Sequence, residues 1–402
     1  MKRVNGIKRK AQKWFMAALL LPAFSACDDL IYDDGEECYY VEIVNEVQSA
    51  NFVRFSYDYN IKFADAFHNE VKQVKLFVFD RNGNYIKTLA EDTDVIIARG
   101  NLMKIGDDDL QPGEYIFQAW AACDNGFNHF ELKQGDTLED FECMLKREHN
   151  DNGQAFRNTD CGRLFHCLNA KVTLGTASSG STVTEPELRS LDDIIRQYGK
   201  DFVIQGDKAV YTHSAVKGDT IPMRMVKNTN TFHIALQQAD GSALDANELD
   251  IRITDQENGR MAYDNRPTDT ETIHYLPWDI RQTAIDDANP DGRATAAGLV
   301  ADLSTARLMV DEADRKRIIV RAKTDGREIL NLPLIDVLLL VKGNYTNPRT
   351  GAKLTDQEYL DRQDDYSLVF FLTKDENGGG KQWLSTHIYI NSWHVVLQST
   401  DL

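Results

Sequence analysis

Period-two alternation of apolar and polar residues runs through most of the chain after its first tenth. Residues 71–80 (VKQVKLFVFD) place Val74, Leu76 and Val78 on one face and two phenylalanines on the other. Apolar residues on both faces are typical of a strand that is covered on both sides. This segment is therefore predicted to be a central strand of a sheet.

Turn signals separate the alternating segments. Asn82 and Gly83 follow the first of these strands at once, and this dipeptide is the strongest short-range signal of a β-hairpin. A turn at Pro112 and Gly113 comes before residues 114–122 (EYIFQAWAA), which alternate again. Short strands divided by such turns predict an all-β sandwich or barrel.

The same pattern returns from about Ile221 onward, which makes the second half of the chain β-rich as well. No repeat with a fixed period of about 20 to 50 residues accompanies it. The further segments predicted as strands are 231–236, 249–253, 299–310, 317–323, 366–373 and 387–398.

Few helices are predicted. A capping box formed by Thr184 and Glu187 begins a helix over about 185–198, and a second capping box begins a short helix after Thr355. Residues 333–342 are apolar almost all round, so their periodicity does not decide between a buried helix and a strand.

The first 26 residues have the three parts of a secretory signal peptide: a basic head, a short apolar run over 14–24 and small residues at the exit. The apolar run is shorter than the roughly 18 to 20 residues that cross a bilayer. Cys27 follows Ser25 and Ala26, and the segment resembles a bacterial lipobox with Phe24 in the place of the common Leu. We therefore predict lipid attachment at Cys27; the alternative is an ordinary signal peptide followed by a chance cysteine.

Residues 27–37 are predicted to be an acidic tether between the lipid and the folded protein. Four aspartates and two glutamates lie within them, and so dense a run of like charges repels itself and stays extended. One acyl chain holds a protein only marginally, whereas two or more chains give stable anchoring. The protein is thus expected on a membrane surface and not across the membrane.

Length and charge limit the remaining possibilities. A chain of 402 residues is longer than one hydrophobic core usually supports, so an N-terminal β-sandwich over 38–220 and a C-terminal one over 221–402 are predicted. The formal net charge is −18, and without the six basic residues of the leader 39 basic residues face 63 acidic ones, a balance of −24. Such a protein does not neutralise phosphates, so nucleic acid is not an expected partner.

The cysteines and histidines give no recognisable reactive site. Besides Cys27 there are Cys38, Cys123, Cys143, Cys161 and Cys167, which allow either two disulfides and one free thiol or five reduced thiols. No CxxC pair and no HExxH motif occurs, so neither a metal nor another cofactor is predicted. His233 and His394 lie in predicted strands and are expected to pack or to form hydrogen bonds.

The order of motifs along the chain resembles that of the Bacteroidetes fimbrial anchor-subunit lipoproteins, the FimB-like family. The resemblance covers nearly the whole chain and begins at the lipobox. It continues through residues 55–60 (FSYDYN), 63–67 (FADAF), 71–89 (VKQVKLFVFDRNGNYIKTL), 110–122 (LQPGEYIFQAWAA), 164–166 (LFH), 228–237 (NTNTFHIALQ), 263–265 (YDN) and 391–402 (NSWHVVLQSTDL).

This resemblance implies a fold of two tandem transthyretin-like β-sandwich domains and a role in anchoring and assembling a fimbrium. It implies outer-membrane localisation through the lipid, and acidic residues after a lipidated cysteine resemble a signal for display on the outer face. The implied partners are other fimbrial (pilin) subunits, one of which would add an extended strand to an open sheet edge. The sequence does not indicate which edge that is.

Enzymatic function is not predicted, because no nucleophile and base are recognisable. Residues 378–381 (GGGK) lack the first glycine and the Ser/Thr of a phosphate loop, and residues 287–292 (DANPDG) begin like a calcium loop but lack its twelfth ligand. The alternative function is a surface glycan-binding lipoprotein of a nutrient-uptake system. Its stacking surface would come from Trp120, Trp278, Trp383 and Trp393, although tryptophans in β-sandwiches are usually core residues.

Overall fold

The computed structural model describes residues 38–46, 50–106, 108–123, 126–174, 187–190, 202–205, 208–214, 220–256, 259–285, 296–310, 316–348, 350–374 and 381–396. The predicted signal peptide 1–26, the lipid site Cys27, the tether 27–37 and the motif 287–292 lie outside these residues. Those predictions therefore stay predictions.

Strands are the main secondary structure in the first half of the described chain. They are β1 (Cys38–Glu46), β2 (Ala50–Ser56), β3 (Gln73–Asp80), β4 (Tyr85–Leu89), β5 (Leu102–Gly106), β6 (Gly113–Ala122), β7 (Phe130–Lys133), β8 (Glu142–Leu145), β9 (Glu148–His149), β10 (Ala155–Arg157), β11 (Leu164–Leu174), β12 (Glu187–Ser190), β13 (Phe202–Gln205) and β14 (Lys208–Ser214). Two short helices interrupt them, α1 (Phe67–Glu70) and α2 (Thr93–Ala98).

The second half has the same character. Its strands are β15 (Thr220–Arg224), β16 (Val226–Lys227), β17 (Thr229–Gln238), β18 (Leu249–Gln256), β19 (Arg260–Ala262), β20 (Thr272–Tyr275), β21 (Asp279–Ile285), β22 (Ala296–Ala306), β23 (Arg317–Ala322), β24 (Glu328–Pro333), β25 (Asp365–Lys374), β26 (Lys381–Ile390) and β27 (Trp393–Val396). Helices α3 (Leu334–Leu339) and α4 (Asp356–Arg362) are short, and single 3-10 turns occupy Gly126–His129, Leu138–Asp140, Ala246–Glu248 and Lys342–Asn344.

Hydrogen bonding groups these strands into six sheets. Their strand orders are β12-β1-β14-β13, β15-β2-β5, β16-β11-β6-β3-β4, β19-β8-β7, β24-β23-β18-β20-β10-β9 and β21-β22-β17-β25-β26-β27. The third is called the five-stranded sheet below, and the last two are called the β24–β9 sheet and the β21–β27 sheet. The prediction of an all-β fold built from β-sandwich units with few short helices is confirmed.

One hydrophobic core lies between the β15-β2-β5 sheet and one face of the five-stranded sheet. Phe55 of β2, Leu76 of β3 and Phe117 of β6 are fully buried in this first core. The β11 strand adds Phe165, which faces the ring of Tyr57 edge-on at 4.9 Å between ring centres. These side chains recur at every second position, as the alternating sequence pattern requires.

The other face of the five-stranded sheet is buried as well, in a second core. Phe77 and Phe79 of β3 and Trp120 of β6 belong to it, and Phe141 meets both phenylalanines edge-on at 5.0 and 4.9 Å between ring centres. The prediction that residues 71–80 form a strand covered on both faces is confirmed. The five-stranded sheet is therefore a middle layer shared by two cores.

The two six-stranded sheets enclose the main part of the second core. Alternate residues of β17 (Phe232, Ile234 and Leu236) are fully buried, and β18 follows the same rule. Pro333 ends β24, and helix α3 begins directly after it with its apolar side chains in the core. The ambiguous segment 333–342 is thus mainly a buried helix.

Local signals in the sequence gave mixed results. The Asn82-Gly83 hairpin is confirmed, with Gly83 at φ 86°, a backbone conformation that glycine adopts without strain. The short helix predicted after Thr355 is confirmed as α4, and Thr355 caps it, because its side chain accepts the N–H of Glu358. The helix predicted over 185–198 is wrong for residues 187–190.

Those four residues form strand β12, which pairs antiparallel with β1. The capping-box signal is local, whereas the segment pairs along one side with a strand that lies far away in the sequence, and such tertiary pairing overrides local propensity. The rest of 185–198 lies outside the described residues.

The predicted division of the chain at residues 220 and 221 stays a prediction, and strand pairing crosses it in both directions. Strand β15 pairs in parallel with β2, and its Ile221 and Met223 lie in the first core. Strand β10 pairs in parallel with β20, and β8 pairs with β19, so strands from the first half help to build the second core. We call the parts of the molecule built around the first and the second core the two units. Strands of both units alternate along the chain, so the units are interleaved in sequence.

Candidate functional site

The described residues include neither a cluster of metal ligands nor a thiol of lowered pKa. No group of three or more His, Cys, Asp or Glu side chains that could hold a metal ion occurs among the described residues. Cys143, Cys161 and Cys167 are free thiols, which excludes the arrangement with two disulfides. Burial raises the pKa of Cys161 to about 11 and that of Cys167 to about 12, so these thiols are not nucleophiles at neutral pH.

His233 forms a hydrogen bond, as predicted: its Nδ1 lies 2.7 Å from Oδ1 of Asp302. The side chain of His394 lies outside those that the structure describes. Within the described ranges no helix has both the length and the apolar character needed to cross a membrane.

The tryptophans do not form one platform. Trp120 is buried, whereas Trp278 and Trp393 are 41% and 42% exposed, and the side chain of Trp383 lies outside the described ones. Trp278 precedes β21 and Trp393 begins β27, which are the two opposite edges of a six-stranded sheet. Five strand spacings of about 4.8 Å separate these edges by about 24 Å. The two exposed rings are therefore separate surface features.

Buried polar side chains connect the two units, and we call this set of contacts the inter-unit seam. It is centred on Arg362, Lys227 and Gln118. Arg362 of α4 places its guanidinium 4.1 Å from the ring centres of both Tyr59 and Phe63. Its Nη1 donates to the carbonyl oxygens of Asp58 at 3.2 Å and Asn60 at 3.3 Å. Such a buried cation needs these partners, because an unpaired charge in the interior is strongly unfavourable.

The loop 58–63 is shaped to receive Arg362. The amide nitrogen of Asn60 donates to the carbonyl oxygens of Tyr57 at 2.8 Å and Ala64 at 2.6 Å, and its oxygen accepts the N–H of Lys62. Phe63 has a φ of 55°, which is uncommon for a bulky residue and costs of order 1–3 kcal/mol. This conformation turns the Phe63 ring onto the guanidinium.

A second group of contacts surrounds Lys227, which is almost fully buried. Its Nζ lies 3.3 Å from Oε2 of Glu70 and also pairs with Asp364. These residues line a polar cleft of about 900 Å³ between the units. Tyr57 also lines it, and burial followed by the nearby Asp364 and Glu70 carboxylates raises the pKa of its hydroxyl, which stays neutral.

A third group of contacts joins the five-stranded sheet, on its face toward the second core, to the second unit. The Gln118 amide donates to the carbonyl oxygen of Tyr263 at 2.9 Å, and the Asn228 and Asn265 amides bond to each other. His166 is buried beside the Trp120 ring. Burial, and then the positive charge of Arg307, lowers the pKa of His166 to about 3.

Sequence reasoning missed the seam. Arg362 lies four residues after Glu358, a spacing that indicates an exposed helical ion pair, and nothing local relates it to Tyr59. No sequence pattern around Lys227 indicates that it is buried between two carboxylates either. The resemblance did place residues 55–60, 63–67 and 263–265 among the motifs, and these contribute Tyr59, Phe63 and Tyr263 to the seam.

Open sheet edges are the other candidate binding surfaces. In the part of the chain that the structure describes, each sheet ends on strands that pair within the sheet on one side only. These edge strands are β12 and β13, β15 and β5, β16 and β4, β19 and β7, β24 and β9, and β21 and β27. Unpaired N–H and C=O groups on such edges are templates for pairing with another chain.

Known proteins share this architecture. The model of the family described as fimbrillin-A associated anchor proteins Mfa1 and Mfa2 matches residues 36–190 and 198–399. A candidate adhesin from Bacteroides thetaiotaomicron is 27% identical with a TM-score of 0.62, and the match covers 88% of this chain and 100% of the adhesin. A candidate polysaccharide-binding protein from the same species is 26% identical with a TM-score of 0.61 and the same coverage.

The fimbrial anchor protein Mfa2 from Porphyromonas gingivalis has a similar fold, with 15% identity, a TM-score of 0.54, and coverage of 89% of this chain and 100% of Mfa2. No curated protein sequence matches the chain.

Removal of the Arg362 side chain is expected to destabilise the protein. The Arg362→Ala variant loses two buried cation–π contacts and the hydrogen bonds to the carbonyl oxygens of Asp58 and Asn60, which should lower the free energy of unfolding by about 3 kcal/mol. Urea unfolding followed by tryptophan fluorescence measures this. The control is Arg266→Ala, which removes an exposed ion pair with Asp264 and should cost about 0.5 kcal/mol or less. Equal costs in the two variants would contradict the role of Arg362.

Because His166 is buried in its neutral form, we predict that the free energy of unfolding decreases in weak acid. Its pKa is about 3 in the folded protein and about 6.5 in the unfolded chain, so below pH 6.5 the unfolded chain binds the extra proton. Stability is fully present above pH 6.5 and falls as the pH drops, by about 1.4 kcal/mol per pH unit for one proton.

The measurement is the free energy of unfolding between about pH 7.5 and about pH 5.5, where carboxyl groups titrate little. His166→Gln should depend less on pH than the wild type. Part of the dependence should remain, because burial also lowers the pKa of His129 and His274. Identical slopes for the variant and the wild type would contradict the assignment.

Proposed function

The chain belongs to the family of fimbrillin-A associated anchor proteins Mfa1 and Mfa2, and from this we propose that it is the lipid-anchored basal subunit of a cell-surface fimbrium. The observation that carries the proposal is the family match over both halves of the chain. In the proposal a lipid on Cys27 holds the protein to the outer membrane, and the folded units bind a neighbouring pilin by strand addition.

Membrane attachment must come from the lipid in this proposal. The chain without its leader has 39 basic and 63 acidic residues, so it offers no general positive charge to anionic lipids. Two or more acyl chains on one thiol would hold it stably. The acidic residues of the tether 27–37 would then keep the folded body away from the membrane surface.

Assembly with other subunits is supported by the open edges. An extended segment that adds to an edge gains main-chain hydrogen bonds for affinity, and its alternate side chains supply specificity. A fimbrial role also agrees with the nature of the inter-unit seam: Arg362 and Lys227 are paired within the chain and hold the two units together.

The glycan-binding alternative has one observation in its favour. A relative that is 26% identical is a candidate polysaccharide-binding protein, and two tryptophans of this chain are exposed. Exposed aromatic rings can stack on sugar rings. The alternative and the proposal differ in what they require: side-chain rings in one case and main-chain edges in the other.

Loss of Cys27 is expected to release the fimbria. Cells that carry Cys27→Ala and grow with radiolabelled palmitate should incorporate no label into the protein, because the thiol that would carry the diacylglycerol is absent. Their filaments should appear in the culture medium when it is examined by electron microscopy. Cys38→Ala is the matched control and should keep both label and attached filaments. Label retained in Cys27→Ala would contradict lipid attachment at Cys27. Filaments that stay attached to the cells of this variant would contradict the anchor role.

Soluble polysaccharides should not bind the protein if the fimbrial role is correct. Affinity electrophoresis in gels that contain a polysaccharide measures this as retarded migration. Retardation that disappears in Trp278→Ala or Trp393→Ala would favour the glycan-binding alternative. Leu340→Ala, which removes an exposed aliphatic side chain, is the control and should migrate like the wild type.

A further inference from the structure

Strand β21 differs from the other open edges in length. It has seven residues without Gly or Pro, and it is the longest edge strand in the described part of the chain. Its competitors are shorter, and β15 contains Pro222 while β24 ends at Pro333. Trp278 and Ile280, two of the exposed large hydrophobic residues, lie at its start. An edge with these properties favours pairing with another strand.

The direction of its main-chain groups follows from hydrogen bonds farther inside the sheet. The N–H of Thr231 in β17 donates to the carbonyl oxygen of Asp364, so odd-numbered residues of β17 face β25. Main-chain groups alternate direction along a strand, so even-numbered residues such as Ile234 face β22. Ile234 pairs with Ala301, and odd-numbered residues of β22 therefore face β17.

The even-numbered residues of β22 must then face β21. Asp302 confirms this, because its carbonyl oxygen accepts the N–H of Trp278 at 3.0 Å. Asp302 pairs with Asp279 in β21. The odd-numbered residues of β21 thus point inward to β22, and the N–H and C=O groups of Ile280, Gln282 and Ala284 point to the open edge.

The side chains along this edge differ on its two faces. Ile280 and Gln282 stand opposite Ala301 and Leu299, which are buried in the second core. On the other face Arg281 pairs with Asp302 and, at 2.9 Å, with Asp279. A strand added here would meet Ile280 and Gln282, next to buried apolar side chains, on one face and a compact group of charges on the other.

We infer that β21 accepts an extended strand of a neighbouring fimbrial subunit, about seven residues or 23 Å long, in which apolar and polar residues alternate. The inference rests on the proposed function and assigns it a surface. A second copy of this chain is the less favourable occupant, because each copy carries a net charge of −18 even with its leader.

The test compares two substitutions at one position. The full-length lipoprotein is purified in detergent and mixed with filaments sheared from the same cells, and the bound subunit is identified by mass. Gln282→Pro removes an edge-facing N–H, and its partner carbonyl loses a donor, so binding should weaken about tenfold. Gln282→Ala loses only the side-chain bond to the carbonyl oxygen of Leu244 and should bind like the wild type.

Hydrogen exchange on the unaltered protein supplies a measurement that does not depend on how well a proline variant folds. The amides of Ile280, Gln282 and Ala284 should become protected when the filament subunit binds. Unchanged exchange there, together with normal binding, would overturn the assignment of β21 but leave the proposed function standing.

Failure of the wild-type protein to bind any filament subunit would overturn both the assignment of β21 and the proposed function. Self-association that Gln282→Pro abolishes, with no filament subunit bound, would assign the edge to a second copy and overturn the inference.

Discussion

Burial of the five-stranded sheet on both faces is the constraint on which the molecule depends. A strand with alternating side chains can serve two cores at once only if both faces are apolar, and β3 and β6 satisfy this condition. Leu76 and Phe117 point to one core, while Phe77 and Trp120 point to the other. Each core therefore stabilises a layer that the other needs, and the two units are not independent in their packing.

The polar seam follows from that arrangement. Besides the apolar contacts of the middle layer, the two units meet through buried ion pairs and amide hydrogen bonds centred on Arg362, Lys227 and Gln118. Removing one partner from such a network leaves a buried group unsatisfied, which makes the relative position of the units specific. A purely apolar contact would tolerate sliding more easily.

The sequence predicted features that depend on neighbours in the chain. The strand over 71–80, the Asn82-Gly83 hairpin and the cap at Thr355 were correct because period, turn chemistry and capping act over a few residues. Distant partners were not predictable: β12 pairs with β1 across the chain, and Arg362 and Asn60 are 302 positions apart.

Strand β21 was missed because a polar edge strand shows little apolar alternation. Lipid attachment at Cys27 remains a prediction that the described residues do not reach.

The path of the chain between the two cores has a mechanical consequence. The polypeptide passes from the first core to the second after β6, returns at β11, and passes over again after β15. A load that pulled the two cores apart would therefore be carried by several covalent crossings in parallel. The two sandwiches would then resist separation under force, and neither could rotate away from the other as two domains joined by a single flexible linker can.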